Sequence, residues 1–386
     1  MKLAVPAERR VNEARVAATP DTVKRLKGLG LDIVVETGAG NGASIPDQAF
    51  ADAGATIAAD AASALADADI VFKVQRPMTA DEGTDELALI KSGALVAALF
   101  DPYRNRPLVQ ACAERGVRAA AMELMPRITR AQSMDVLSSQ ANLAGYRAVI
   151  EASQNFGRAF PMMMTAAGTV PPARLMVFGV GVAGLQAIAT ARRLGAIVSA
   201  TDVRPATKEQ VESLGATFVA VMDEEFQQAQ TAGGYAKEMS DAYKAKQAAL
   251  IAETIKKQDI AITTALIPGR PAPKLISADM VKSMKPGSVI VDLAVENGGN
   301  CELSQPGQIV DVGGVKIVGL LNMPSRIAVD ASALYAKNLF NFLSAFFDKK
   351  AGTLNLDPDD EIVKGVLLTR DGKVVHPAFA ATAAGA

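Results

Sequence analysis

An α/β protein of two doubly wound parallel-sheet domains, joined by long connector helices, is the fold this sequence predicts. Three observations carry that expectation. Short β-branched runs alternate with helical patterns almost from end to end, as βαβ units around a parallel sheet require. The alternation comes in two series, separated by a helical stretch without a convincing strand and then by a proline pair. The second series opens with a strand, a glycine-rich turn and a helix in direct succession.

In the first series the strand candidates are residues 2–5, 33–36, 70–74, 94–99 and 117–123, with helix-like stretches at 22–29, 61–68 and 107–115. The first helix has a start signal in Pro20 and Asp21, and Gly28 and Gly30 lie near its end. From 125 to 160, apolar residues recur at helical spacing through Leu143, Tyr146, Val149 and Ile150, predicting a connector out of the first domain. GTVPP at 168–172 then breaks the chain, because a proline pair cannot continue a helix. The second series offers strands at 175–179, 197–202, 217–221, 260–264, 289–293 and 315–319, with helices at 182–194 and from Lys208. A long apolar helix at 331–347 returns the chain to the first domain as a second connector, and the terminal ATAAGA reads as a mobile tail. The expected domains are 1–137 together with 326–386, and 138–325.

Size and composition agree with this organisation. The 386 residues suit two α/β domains at ~150 residues each. With 49% hydrophobic and 21% charged residues the chain has enough apolar material for two filled cores. A net charge of −1 and the lack of any Lys/Arg run point away from nucleic acid and from anionic membrane surfaces as partners. Cys112 and Cys301 have neither metal-ligand spacing nor a disulfide framework, so they read as buried thiols of a reducing compartment. The opening MKLAVPAERR lacks a signal core, and no window reaches the ~18 apolar residues of a spanning helix. A cytosolic chain, held at a membrane only through another protein, is expected.

The chemistry begins at GVGVAG, residues 179–184. It follows the strand LMVF and opens the helix VAGLQAIATARRLG, the context that a Rossmann-like dinucleotide site requires. Gly179 permits the tight turn, Gly181 lets the backbone approach a pyrophosphate, and Gly184 lets helix and strand pack closely. The helix N-terminus offers unpaired N–H groups and partial positive charge to the phosphates. Asp202 ends the following strand, where an acid binds the adenosine ribose and repels a 2′-phosphate, favouring NAD over NADP. Arg204 softens that preference, since an arginine can accommodate the phosphate.

Two further stretches stay open between readings. In MPRITRAQSMDVLSSQ, Gln132, Asp135 and Ser139 fall at i, i+3 and i+7, one helical face, with Ser138 beside them and Arg127 upstream. This is either a set of hydrogen-bonding groups for a carboxamide, ribose or phosphate, or an ordinary solvated helix face with its caps. MDEEFQQAQTAGGYAKEMS, acidic and Gln-rich with a Gly-Gly-aromatic run, is either a hinged lid or a plain surface loop.

The runs RAQSMDVLSSQANLAGYRAV and FPMMMTAAGTVPPARLMVFGVGVAGLQAIATARRLGA resemble the NAD(H)-binding alpha subunits of proton-translocating nicotinamide nucleotide transhydrogenases. VFKVQRPMTADEGTDE, ATKEQVESLGA, TAGGYAKEM and DIAITTALIPGRPAP match the same family, so the resemblance covers nearly the whole chain. AVPAERRVNEARVAATPDTV and ETGAGNGAS are shared with the related alanine dehydrogenases. The resemblance implies hydride transfer between NAD(H) on this chain and NADP(H) on a partner subunit, coupled to proton movement by a membrane-spanning subunit. It further implies a homodimer, peripheral at the inner face of the plasma membrane through its partners. By the same resemblance Arg127, Gln132, Asp135 and Ser138 serve the nicotinamide end, the first three as the groups positioned for catalysis. The turn from Gly179 through Gly181 and Val182 to Gly184 would hold the pyrophosphate, and Asp202, Val203 and Arg204 the ribose. Gly234 and Tyr235 would belong to the lid, Leu266 would lie by the nucleotide, and Gln247 would follow on the next helix.

One chemical difference separates the two relatives. Alanine dehydrogenases resemble this chain through a lysine, matched by Lys73, but also need a histidine further along to move a proton. Here that region reads VAALFDPYRN, and the chain's one histidine, His376, stands in the tail segment KVVHPAFA. Direct exchange between two nicotinamides needs no acid or base at the reacting carbons. It needs two rings held within ~3–3.5 Å with water excluded. A stand-alone amino-acid dehydrogenase and a non-catalytic NAD-binding module remain as alternatives.

Overall fold

The computed structural model describes residues 1–228, 239–267 and 269–380. Gly234, Tyr235 and the ATAAGA tail therefore lie outside the described residues. The chain divides into two compact units, Met1–Gln140 with Ser325–Ala386, and Ala141–Pro324.

The first unit runs β1 (Lys2–Val5), α1 (Pro20–Gly28), β2 (Asp32–Glu36), α2 (Asp47–Asp52), β3 (Thr56–Ala58), α3 (Ala61–Leu65) and β4 (Ile70–Gln75). It continues through α4 (Glu86–Leu89), β5 (Leu95–Leu99), α5 (Arg106–Glu114) and β6 (Arg118–Ala121). The six strands form one sheet in the order β3-β2-β1-β4-β5-β6, every pair parallel. Strands such as β4 (IVFKVQ) are buried along nearly their whole length, which is why they read as continuous runs and not as alternation. Helix α1 starts where its signals place it: Thr19 is the cap, in a capping box with Thr22, and Pro20 occupies the first turn. β3, only three residues long, escapes pattern reading altogether.

Helix α6 (Val136–Asn155) carries the chain from one unit into the other, and α12 (Ala328–Phe346) lies wholly in the first. Tyr335, Leu339 and Phe342 of α12 are buried with Leu3, Ile33 and Phe72 of the sheet in one core, and the Tyr335 hydroxyl donates to the Lys73 carbonyl at 2.9 Å. The C-terminal segment then covers the edge of β6. Leu368 N–H donates to the Ala119 carbonyl, and Thr369 Oγ1 accepts from Ala119 N–H at 2.9 Å. An edge that would otherwise expose free backbone groups is thereby paired.

After α6 the second unit continues with a hairpin, β7 (Met163–Thr165) with β8 (Gly168–Val170). Then come β9 (Arg174–Phe178), α7 (Val182–Arg193), β10 (Ile197–Thr201), α8 (Thr207–Ser213) and β11 (Thr217–Phe218). After α9 (Glu224–Gln227) follow α10 (Asp241–Ile255), β12 (Ile260–Thr263), α11 (Ala278–Ser283), β13 (Val289–Asp292), β14 (Ile309–Val312) and β15 (Val315–Val318). The main sheet has the order β11-β10-β9-β12-β13-β15-β14, with β14 the single antiparallel strand, at the edge. The strand order reverses between β9 and β12, the switch point outside which doubly wound sheets bind ligands. Both sheets are thus Rossmann-like, as the alternation predicts.

One buried acid in the first unit has a consequence for stability. Glu123 follows β6, and its Oε1 accepts backbone N–H groups from Phe100, at 2.7 Å, and Asp101. Its buried Oε2 has no hydrogen-bond partner among the described residues. Burial, the largest influence, pushes this carboxyl from the ordinary glutamate range up to about 7. The folded state therefore favours the neutral acid, and the stability this confers below the unfolded pKa is lost as pH rises through about 7. Glu123→Gln should match the parent near pH 4 and exceed it at pH 8 by on the order of 2 kcal/mol. Urea unfolding at the two pH values measures this, and an unchanged difference refutes it.

Candidate nucleotide site

Strand β9 ends at Phe178 and α7 begins at Val182, so the six residues of GVGVAG make the turn and the first helical residues. Gly179 has φ +93°, and a β-carbon there would lie 2.8 Å from Thr264 Oγ1. Gly184 is fixed more tightly: a β-carbon would stand 1.9 Å from the Gly179 carbonyl oxygen. Gly181 differs from both. Its φ of −85° suits any residue, and a β-carbon would meet nothing within 4 Å. The protein's own packing does not require glycine at 181. A side chain there would only fill the space before the N-terminus of α7, whose cap residue supplies no side-chain hydrogen bond. An open cradle of uncapped N–H groups fits a phosphate.

At the end of β10 stands Asp202, with a side chain only 6% exposed. Its Oδ2 accepts Val180 N–H at 2.7 Å, tying the acid to the glycine turn. Arg204 supplies the remaining donors: backbone N–H and Nε to Oδ1, and Nη2 to Oδ2, each at 2.9 Å. Burial opposes ionisation of Asp202, but the guanidinium and the Val180 N–H outweigh it and hold the carboxyl below its usual range. Val203 and Leu266 are exposed, at 60% and 50%. Gln247 on α10 bridges inward, accepting Val221 N–H at 2.8 Å and donating to Thr201 Oγ1 at 3.2 Å.

Sequence reading missed the groups that seat the loop after β12. Thr264 Oγ1 donates to the Gly179 carbonyl at 2.9 Å. Asn300, fully buried, grips the Ala265 peptide from both sides, accepting its N–H at 3.0 Å and donating to its carbonyl at 2.9 Å. Asp292 accepts from Thr263 Oγ1, Ala294 N–H, Cys301 N–H and Ser304 Oγ. The only signal for this scaffold is the polar run ENGGN, whose partners lie some thirty residues away in sequence.

In the first unit the polar stretch 127–139 is not one helical face. Residues Thr129–Met134 form a 3₁₀ turn and α6 starts at Val136, so exposed Gln132 precedes the helix that holds Ser139. Asp135 caps α6, accepting Ser138 N–H at 2.9 Å and Ser138 Oγ at 2.5 Å. Ser139 turns to Asn338 on α12, donating at 2.8 Å. Arg127 is exposed after Pro126. The capping geometry breaks the assumed helical register because Asp135 adopts an extended backbone. Thus Asp135 and Ser138 are together in the first unit, while Gly179, Gly181, Val182, Gly184, Asp202, Val203, Arg204, Gln247 and Leu266 all belong to the second.

Comparison with known proteins places this architecture. The profile of the alanine dehydrogenase/PNT N-terminal domain matches residues 4–144, and that of the C-terminal domain residues 148–377. The chain belongs to the alanine dehydrogenase/PNT family. Within this family it is 64% identical over 379 residues to an NAD(P) transhydrogenase alpha-subunit chain of Rhodospirillum rubrum, covering 98% of this chain and 99% of that one. The alanine dehydrogenase of Halomonas elongata is 30% identical, over 98% of this chain and 96% of its own. The crystal structure of a transhydrogenase from Sinorhizobium meliloti superposes with TM-score 0.88 at 56% identity, covering 97% of this chain and all of that one. The family resemblance read from the sequence is borne out, on the transhydrogenase side.

Proposed function

We propose that this chain is the NAD(H)-binding subunit of a proton-translocating transhydrogenase, exchanging hydride directly with NADP(H) on a partner subunit. The observation that carries the nucleotide reading is the open cradle at Gly181, set between a packed Gly184 and a buried Asp202. In this reading the turn from Gly179 to Gly184, with Val182 in the first helical position, grips the pyrophosphate, and Asp202 receives the adenosine ribose, with Val203 and Arg204 lining that end of the site. Leu266, Gln247, Gly234 and Tyr235 complete the nucleotide's surroundings. Arg127, Gln132, Asp135 and Ser138 orient the nicotinamide end. The bound nicotinamide supplies the hydride donor or acceptor. The chain's own residues orient that ring and keep water from it, and none of them has to take a proton at the reacting carbon.

Two features of the first unit support this over an amino-acid dehydrogenase. Lys73 is 1% exposed, with Nζ 3.1 Å from Glu86 and 3.4 Å from Glu8. It is committed to buried carboxylates and has no free face for a substrate. His376 is engaged by the Gly365 carbonyl at 3.1 Å and by Ala378 N–H at 3.2 Å, so it serves to hold the C-terminal segment.

No helix among the described residues is long and apolar enough to cross a membrane. We propose accordingly that the chain works in the cytoplasm, peripheral at the inner face of the plasma membrane, where NADP(H)-binding and membrane-spanning subunits hold it and couple the transfer to proton movement. The hairpin of β7 and β8, with Met162, Met163 and Met164 exposed, supports a homodimer, since an isolated two-stranded hairpin is marginal in water. Mixing the chain with an NADP(H)-binding subunit should yield hydride transfer from NADH to an NADP analogue, with little turnover from either alone. No rate above background in the mixture, or NADH formation from NAD and alanine, overturns the proposal. Light scattering of the same sample should return twice the 40.2 kDa chain mass.

A further inference from the structure

Asp202 is expected to receive two ribose hydroxyls, yet in this structure its carboxylate is already full. A carboxylate offers about four acceptor positions. Two are taken by backbone N–H groups of Val180 and Arg204. The other two are taken by the Arg204 guanidinium, Nε on Oδ1 and Nη2 on Oδ2, each at 2.9 Å. A fork of this kind spans both oxygens at once, which is how a vicinal diol would also have to bind. Nη2 is further anchored on the Val180 carbonyl at 3.1 Å, inside the turn that would hold the phosphates. The guanidinium is one-third exposed whereas the carboxylate is nearly buried, so the arginine is the member of the pair that can leave.

We infer that Arg204 is a displaceable occupant of the ribose seat on Asp202, and that NADH enters by exchanging its adenosine diol for this guanidinium. The inference rests on the nucleotide reading above. It makes Arg204 a specificity residue that acts against the preferred nucleotide and for the other one. A diol must first displace the fork, so Arg204 weakens NADH binding. A 2′-phosphate cannot donate to Asp202 and is repelled by it, but the released guanidinium lies within reach to neutralise it, so Arg204 favours NADPH.

Arg204→Met separates this from a direct contact between arginine and nucleotide. The backbone N–H groups that hold Asp202 survive the substitution, and the site keeps its shape. In fluorescence titrations, the variant should bind NADH about threefold more tightly than the parent, the scale of a partly exposed ion pair, and bind NADPH more weakly. Arg204→Lys, whose single ammonium cannot bridge both oxygens, should fall between the two for NADH. Weaker or unchanged NADH binding in Arg204→Met overturns the exchange. A parent chain that binds no NADH overturns the nucleotide reading itself, which keeps the two failures distinct.

Discussion

Gly184→Ala should lose NADH affinity by more than about tenfold and also lower stability by about 1–3 kcal/mol, the scale of forced overpacking. The added methyl group would stand 1.9 Å from the Gly179 carbonyl oxygen and 3.0 Å from its carbon, with Val177 Cγ1 at 3.4 Å. Backbone, not a flexible side-chain tip, has to move. The Gly179 carbonyl also accepts the Thr264 hydroxyl at 2.9 Å, so the displacement reaches the loop carrying Leu266. Gly181→Ala is the contrasting variant. Its methyl group meets nothing in the protein, so its melting temperature should stay near the parent's while NADH affinity falls by a similar factor, because a bound phosphate has lost its line of approach. Thermal melts beside NADH titrations read both effects. If Gly181→Ala binds NADH like the parent, the pyrophosphate does not lie where we propose.

The contrast between those glycines marks how far the sequence could be read. GVGVAG after an apolar strand is a local pattern, and so are the runs that became β1, β4, β9 and β12. Local physics, burial on both sheet faces and a turn needing positive φ, produces each of them. β3 and the β7–β8 hairpin were missed because three-residue strands leave no periodicity to detect. The Asp135 region misled for a related reason. Helical spacing does not reach back to Gln132, because the extended backbone of Asp135 caps the helix between them. Asn300 and Asp292 show the harder limit. Apart from the local bond from Ala294 N–H to Asp292, their hydrogen bonds close loops of nine to thirty-five residues, and nothing in the residues beside them announces the partner. The occupied state of Asp202 is also invisible in sequence: DVR shows an acid and an arginine two residues apart, not a fork closed over both oxygens.

Lys73→Met should be the most damaging single change in the first unit, at about 3–5 kcal/mol, the cost of breaking a buried ion pair from one side. Lys73 lies near the end of β4 with its ammonium group between Glu86, 0% exposed, and Glu8, 3% exposed. Arg9 reaches Glu86 at 3.2 Å but is shared with Glu36, so it cannot replace the lysine. Glu8 already shows the strain of this setting: burial raises its pKa, Lys73 opposes the rise, and Glu13 and Glu86 add to it. With the ammonium removed, the folded pKa of Glu8 rises further above its unfolded value. A raised carboxyl favours the folded state only while protonated, so the loss should be larger at pH 8 than at pH 5.5. Lys73→Met with Glu86→Gln removes one charge of each sign and should recover some of the stability, because the surviving Glu8 keeps its N–H bonds from Val74 and Gln75. Urea unfolding of the three chains at both pH values tests the whole set. A Lys73→Met chain as stable as the parent would mean that the ammonium is not needed by these carboxylates. It would then be free to meet a substrate, and the amino-acid dehydrogenase reading would have to be taken up again.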